Sequence, residues 1–143
     1  MKFYIGVTDN KWFNYLSMLK PPEVNFWQPG GSHTFRAIDT GAPFLFKLHS
    51  PLNYIVGGGY FVRHSLIPLS LAWEAFGQQN GSQDLIAFHD QISSYRKRVE
   101  PDPTIGCIIL NEPFFFSRED WIPVPDNWKP GIVQGKGYDT TDP

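Results

Sequence analysis

The sequence has little cysteine, no excess of positive charge and no long hydrophobic run, and each absence excludes a class of protein. A single cysteine among 143 residues, Cys107, rules out an intrachain disulfide. Its neighbours are apolar, so we expect a small buried side chain. No apolar run approaches the roughly 20 residues of a membrane span, and the first residues become polar too early for a signal peptide. We therefore expect a cytoplasmic protein.

The charge balance argues against binding nucleic acid by overall charge. The 12 basic and 14 acidic residues give a net charge of −2, whereas nucleic-acid-binding domains are typically basic. Binding to nucleic acid would therefore depend on a local basic patch combined with a stacking pocket.

Recognisable catalytic motifs are also missing. The four histidines, at positions 33, 49, 64 and 89, are scattered without the spacing of metal ligands. The glycines at 57–59 lie inside a predicted strand and are not followed by a P-loop lysine. No nucleophile elbow is present, and Glu100 and Asp102 lie in a proline-rich turn. We expect no cofactor and no metal, and we do not expect the chain to be an enzyme by itself.

Aromatic residues, proline and glycine are abundant instead. Aromatics make up 16% of the chain, with 13 prolines and 13 glycines, a composition typical of short strands joined by shaped loops. Hydrophobic periodicity predicts strands over residues 2–7, 24–27, 43–49, 54–63 and 104–111, and edge strands over 121–125 and 131–134. It predicts helices over 11–19, 68–76 and 83–98, the last with an apolar stripe of Leu85, Phe88, Ile92, Tyr95 and Val99.

This order of elements predicts an α+β fold in one domain. Helices packed on the outside of one curled, mixed β-sheet would satisfy it. We place the domain at residues 1–134 and interpret residues 135–143 as a linker-like tail.

Four short motifs carry a resemblance to a known superfamily. They are NFWQPGG (25–31), FRAIDTG (35–41), FLFKL (44–48) and IVGGGYF (55–61). Together they resemble the PUA-like superfamily of β-barrels, in particular its EVE and YTH branches, over residues 1–61. The longer stretch, with LAWEAFG (71–77), PFFF (113–116) and QGK (134–136), resembles the N-terminal domain of bacterial HNH restriction endonucleases.

The resemblance implies a module that flips a modified base of DNA into an aromatic cage. It would be the specificity domain of a modification-dependent restriction endonuclease. Because no H-N-H core lies within the sequence, the nuclease would be a separate HNH domain that acts as its partner. A flipped base costs a few kcal/mol, and stacking on an aromatic ring returns about 1–3 kcal/mol.

The resemblance also implies the residues that would bind the base. Trp27 matches the cage tryptophan, and Trp73 is the first candidate for a second cage aromatic, followed by Trp12 and Tyr60. The polar and loop positions are Thr8, Asp9, Asn10, Asn25, Gln28, Pro29 and Gly30. Trp12 and Trp73 lie on predicted helices, so a place in the core is the competing interpretation for both.

Candidate phosphate contacts are Arg96, Lys97, Arg98, Arg36, Lys47, Arg63 and His64. The cluster at 96–98 ends a predicted helix, where cations also suit the helix dipole. Two other functions stay open, an RNA-binding PUA-like domain and a protein-interaction domain without nucleic acid. The sequence does not identify the modification.

Overall fold

The computed structural model describes residues 1–30, 35–49, 52–129, 132 and 135–139. Its strands are β1 (Lys2–Thr8), β2 (Glu23–Gln28), β3 (Pro43–Leu48), β4 (Tyr54–Pro68), β5 (Thr104–Phe115), β6 (Ile122–Pro123) and β7 (Gly135–Asp139). Its α-helices are α1 (Asn10–Leu19), α2 (Leu69–Phe76) and α3 (Leu85–Ser93), and short 3₁₀ turns form at Gly77–Asn80 and Arg118–Asp120. Most predicted strands and all three predicted helices are therefore present. None of the described helices is long and apolar enough to cross a membrane.

The strands form one curled, mixed sheet in the order β2-β5-β4-β3-β1-β7, with β6 added on β4. The pair β1–β3 is parallel, and the other described pairs are antiparallel. Because β2 and β7 each pair on one side only, the described sheet curls without closing. The predicted α+β fold, a curled mixed barrel-like sheet with helices outside, is confirmed.

Side chains alternate along β5 and fill two cores, one on each face of the sheet. Ile108 and Leu110 point into the curl, where they pack with Phe26, Phe44 and other aromatic residues. Ile105, Cys107 and Ile109 point to the outer face and pack against α2 and α3. Both sets are fully buried, as expected for a strand covered on both faces. Cys107 is buried as predicted.

Helix α1 begins at Asp9, whose carboxylate caps it. Asp9 Oδ1 accepts a 2.8 Å hydrogen bond from the backbone N–H of Trp12, the contact expected of an N-cap aspartate. The helix ends at Lys20, which adopts a left-handed conformation with φ 49° just before Pro21. Trp12 and Leu16 turn inward and are almost completely buried.

Helix α3 is shorter than the sequence predicts. The predicted helix over 83–98 ends at Ser93, where the Ser94 hydroxyl bonds back to the Gln91 carbonyl at 2.6 Å. Serine competes for backbone groups in this way and weakens helix interiors. The predicted stripe is therefore buried only at Phe88 and Ile92, while Val99 is 75% exposed.

Lys47 is buried, which contradicts its prediction as a phosphate contact. Alternation along β3 is kept, because Phe44, Phe46 and Leu48 all enter the inner core, and Lys47 lies on the opposite face. The register against β4 shifts between Phe46 and Lys47, and Lys47 is 3% exposed, with its Nζ donating to the Leu48 carbonyl at 2.9 Å. Burial lowers the pKa of Lys47, and its ammonium lies 5.2 Å from the ring centre of Trp128.

The glycines at 57–59 serve the close backbone approach that the sequence indicates. A Cβ on Gly57 would lie 2.3 Å from the Phe114 carbonyl oxygen, which no side chain tolerates. The register between β4 and β5 also shifts beside these glycines, between Gly58 and Tyr60. Glycine inside a strand is typical of such a bulge.

The C-terminal segment corrects the interpretation of residues 135–143 as a linker. Gly135–Asp139 form β7 and pair antiparallel with β1, with Gly6 opposite Gly135 and Lys2 opposite Asp139. The sheet thus continues past residue 134, and residues 140–143 lie outside the described part of the chain. The predicted edge strand at 121–125 is reduced to Ile122–Pro123, and the one at 131–134 lies almost entirely outside the described residues.

Candidate nucleic-acid interface

A cavity of about 300 Å³ opens between β1 and β2. These strands are not hydrogen-bonded to each other, because β1 pairs with β3 and β7 while β2 pairs with β5. Most lining residues belong to β1, β2, α1, β3 and β5, and the others closely follow β1, β2, β3 or α3. The full set is Tyr4, Val7, Thr8, Asp9, Trp12, Phe26, Trp27, Gln28, Pro29, Phe44, His49, Tyr95 and Ile108. The volume is at the small end for ligand sites and suits one ring-shaped group.

Trp27 forms one wall of this cavity. Because side chains alternate along β2, Phe26 enters the inner core while Trp27 faces the other way. The Trp27 indole N–H donates a 2.8 Å hydrogen bond to the Asn80 carbonyl. Its ring centre lies 6.3 Å from that of Phe88 and 6.1 Å from that of Tyr95. The indole is therefore half-buried and held in one orientation.

Asp9 lies where β1 passes into α1, and its carboxylate is a hydrogen-bonding hub. Besides the Trp12 amide, it accepts two 3.0 Å bonds from Gln91 Nε2, one on each oxygen. The Tyr95 hydroxyl donates to Oδ2 at 2.8 Å. The Asp9 oxygens are thus already engaged, and they fix the neighbouring side chains of Gln91 and Tyr95.

Tyr95 is an aromatic lining residue of the cavity that sequence reasoning missed there. It follows α3 and faces Trp27, with the His49 ring stacked on it at 6.1 Å and an interplanar angle of 16°. Burial, with the hydrogen bond and charge of Asp9, raises the pKa of Tyr95, so it remains a protonated donor. The only sequence signal was its position in the apolar stripe, which indicated a core residue. Tyr4 also lines the cavity, and its ring is in edge contact with that of Phe35, with ring centres 4.9 Å apart.

Two predicted polar residues remain free to contact a ligand. Within the part of the chain that the structure describes, the side chains of Thr8 and Gln28 line the cavity without a hydrogen-bond partner. Thr8 is 9% exposed. A hydroxyl and a carboxamide together supply donors and acceptors, which is what reading the edge of a base requires.

Other predicted base-binding residues lie in or near the cavity, and the Oδ1 atom of Asn25 is buried there without a partner among the described residues. Trp12 forms its inner wall, is 1% exposed and donates its indole N–H to the Asn25 carbonyl at 3.2 Å. Asn25 itself is fully buried and donates to Asn80 Oδ1 at 2.8 Å, so it supports the wall and does not line it. Pro29 is at the rim, and Gly30 follows it in the exposed turn.

Three predicted residues lie elsewhere. Trp73 packs on Phe88 in the outer core at 5.9 Å, and Tyr60 lies beside Phe114 at 6.2 Å. Neither lines the cavity, so the structure does not support them as cage residues. Asn10 is exposed and lines an adjoining groove of about 710 Å³ that shares Asp9, His49 and Tyr95 with the cavity.

The basic cluster at 96–98 divides into one anchored and two exposed cations. Arg96 donates through Nη1 to the Pro29 carbonyl and through Nη2 to Glu100 at 3.0 Å. Lys97 and Arg98 are exposed. Arg96 thus ties this segment to the cavity rim, and the two free cations lie next to it along the chain.

The remaining candidate phosphate contacts are dispersed. Lys47 is buried, which excludes it from a phosphate surface. Arg36 and Arg63 are exposed. His64 is half-buried, and its Nδ1 accepts from the Phe35 backbone N–H at 3.3 Å, while its Nε2 is buried without a partner among the described residues. His64 is therefore a structural side chain.

The burial of His64 predicts a pH dependence of stability. Burial lowers its pKa from the ordinary 6.5, so the unfolded chain binds the proton more readily. The free energy of unfolding should therefore fall as the pH is lowered through about 6.5. Urea unfolding at about pH 7.5 and pH 5.5 should show a smaller decrease for His64→Gln than for the unmodified chain. Equal decreases would show that His64 carries no such linkage.

No family model and no curated protein matches the chain. Solved structures do match. The ASCH protein of Zymomonas mobilis superposes with a TM-score of 0.64 at 10% identity, covering 97% of this chain and 89% of that chain. A tyrosine-to-phenylalanine mutant of that protein gives 0.61 at 11% identity, covering 94% and 88%. ASCH domains have PUA-like folds, so the chain has the PUA-like fold that the motifs imply. The EVE, YTH and HNH associations stay predictions.

Proposed function

We propose that this domain binds nucleic acid by holding one unstacked base in the cavity that Trp27 and Tyr95 line. The observation that carries the proposal is the cavity itself, which has room for one ring system, aromatic side chains on its walls, and the free polar groups of Thr8 and Gln28 at its edge. Stacking is tolerant of base identity, whereas unpaired polar groups penalise a wrong base. Aromatic stacking would thus supply affinity for any base, and the polar groups would supply selectivity among bases.

The surroundings of the cavity support a nucleic-acid strand outside it. Arg96 is anchored to the Pro29 carbonyl at the rim, and Lys97 and Arg98 extend from the same segment into solvent. Phosphate contacts position a strand, and base contacts specify it. The narrower form of the proposal is that the base is modified, that it is flipped from duplex DNA, and that the domain gives specificity to an HNH restriction endonuclease.

The salt dependence of binding tests the proposed strand contact. Replacing Lys97 and Arg98 together with alanine should weaken binding to modified and plain duplexes alike. Each lost phosphate contact should reduce the magnitude of the slope of log K against log salt by about 0.9. Fluorescence anisotropy at several salt concentrations measures this slope, with Arg36→Ala and Arg63→Ala as controls for exposed cations elsewhere.

The outcome also separates the possible partners. A preference for a modified duplex over its plain counterpart supports the DNA reader, and a preference for single-stranded RNA of the same sequence supports the RNA-binding alternative. Absence of binding to every nucleic acid at low salt would contradict the proposal and favour a protein-interaction domain.

A further inference from the structure

The carboxylate of Asp9 is a negative charge in the cavity wall that has no ion-pair partner among the described residues, and the N-terminus of α1, which it caps, offsets only part of it. Its described partners are the Trp12 amide, the Gln91 carboxamide and the Tyr95 hydroxyl, all neutral donors. The ion pairs found among the described residues are Met1–Asp139 and Arg96–Glu100, and neither involves Asp9. The charge therefore acts on whatever occupies the cavity.

No other described group that lines the cavity offsets this charge. Apart from the two tyrosines, His49 is the one other ionisable side chain among the described residues that line the cavity. Lys47, although next to it in sequence, directs its ammonium to the Leu48 carbonyl and the Trp128 ring. In the adjoining groove, Lys11 lies among the lining residues with Asp9 and Asp90, and it forms no ion pair with either of them in the part of the chain that the structure describes. A negative potential in a half-buried site is only weakly screened by salt.

The aromatic walls favour the same sign of charge. Trp27 and Tyr95 lie with ring centres 6.1 Å apart, and ring faces attract cations through their quadrupoles. A planar cation that stacks on Trp27 would thus gain from the rings and from Asp9 together. An anionic group such as phosphate would be repelled by both.

We propose that the base held in this cavity is positively charged, which makes an N-alkylated nucleobase the preferred ligand class. This inference rests on the proposed function and specifies its ligand. Alkylation at a ring nitrogen leaves the base planar and gives it a delocalised positive charge. Stacking, the quadrupole attraction and the Asp9 charge then add, whereas a neutral base of the same size receives the stacking alone.

A pair of isomeric bases isolates the charge from size and methylation. 1-Methyladenine is a cation near neutral pH, and N6-methyladenine carries the same methyl group without the charge. Each is placed at one position of otherwise identical single-stranded oligonucleotides, in DNA and in RNA, and binding is measured at about pH 7.5, where an ordinary histidine is largely neutral. We expect the cationic isomer to bind about threefold to thirtyfold more tightly. The pair 3-methylcytosine and 5-methylcytosine should behave in the same way.

Asp9→Asn is the matched variant, because asparagine also caps helices well and differs in charge with little change in shape. It should bring the ratio between the isomers down toward the part due to the rings, and the ratio is compared within the variant so that any common change in affinity cancels. Tyr95→Phe, which removes a hydrogen bond to Asp9 and keeps the ring, should retain most of the preference. If Asp9→Asn fails to fold, the isomer ratio of the unmodified chain still decides the matter.

The outcomes distinguish this inference from the function on which it rests. Equal binding of both isomers, or tighter binding of the neutral one, would overturn the cationic ligand and leave a neutral-base reader in place. If neither isomer binds more tightly than the same oligonucleotide with an abasic position, the base-binding cavity itself is refuted.

Discussion

Replacing Trp27 with alanine is expected to remove about 1–3 kcal/mol of affinity for an oligonucleotide whose base occupies the cavity. The indole forms one wall, and its orientation is fixed by the bond to the Asn80 carbonyl. Binding through phosphates alone should change little, because those contacts lie outside the cavity. Anisotropy titrations with matched base-bearing and abasic oligonucleotides measure the two contributions separately.

Two further variants make the Trp27 result specific. Trp27→Phe keeps an aromatic face and loses only the hydrogen bond to Asn80, so it should retain most of the affinity. Trp73→Ala truncates another half-buried tryptophan that packs in the outer core away from the cavity, and it should leave base discrimination unchanged. Unaltered discrimination in Trp27→Ala would place the base elsewhere, provided that thermal unfolding shows the variant to be folded.

Replacing Trp12 with alanine is expected to lower the free energy of unfolding by about 3–5 kcal/mol. Trp12 is 1% exposed and meets Phe26 and Phe46 edge-on, with ring centres 5.3 and 5.0 Å away. Its indole N–H bonds to the buried Asn25 carbonyl, which the substitution would leave without that donor. Urea denaturation compares the unfolding free energies.

Trp12→Phe should cost markedly less than Trp12→Ala, because a second aromatic ring refills part of the space. Gly81 restricts this site further. A Cβ at Gly81 would lie 2.2 Å from Trp12 Cδ1, so the indole packs directly on backbone. An unfolding free energy that changes by less than about 1 kcal/mol in Trp12→Ala would argue that the ring is a ligand-facing side chain instead.

The sequence predicts those features that depend on local periodicity and caps. Hydrophobic periodicity acts over a few residues, and the structure confirms the helix that it predicts at 11–19 and the strand that it predicts at 43–49 to within one or two residues. The placement of Thr8, Asp9, Trp27 and Gln28 around one cavity follows from the resemblance. It depends on how β1 and β2 curl toward each other, which no local pattern specifies.

The rest of the site depends on contacts between distant segments. Tyr95 reaches Asp9 across 86 positions, and Asn80 fixes Trp27 across 53, so neither pairing leaves a periodic signal. Helical spacing assigned Tyr95 to a core stripe because the pattern cannot show that the helix ends at Ser93. Lys47 was predicted as a phosphate contact for a related reason, since the sequence does not show that Trp128, 81 positions away, covers its ammonium.

The hydrogen bonds that hold the side chains of Trp27 and Asp9 reduce the conformational entropy that these side chains lose when a ligand binds. Ordering a mobile side chain at an interface costs about 0.5–1.5 kcal/mol, but the Trp27 ring and the Asp9 carboxylate are already fixed by Asn80, Gln91 and Tyr95. Gln28, whose carboxamide has no partner among the described residues, still has rotameric freedom to lose. Stacking therefore acts on a preorganised surface, whereas reading the edge of the base has to offset an ordering cost at the moment of binding.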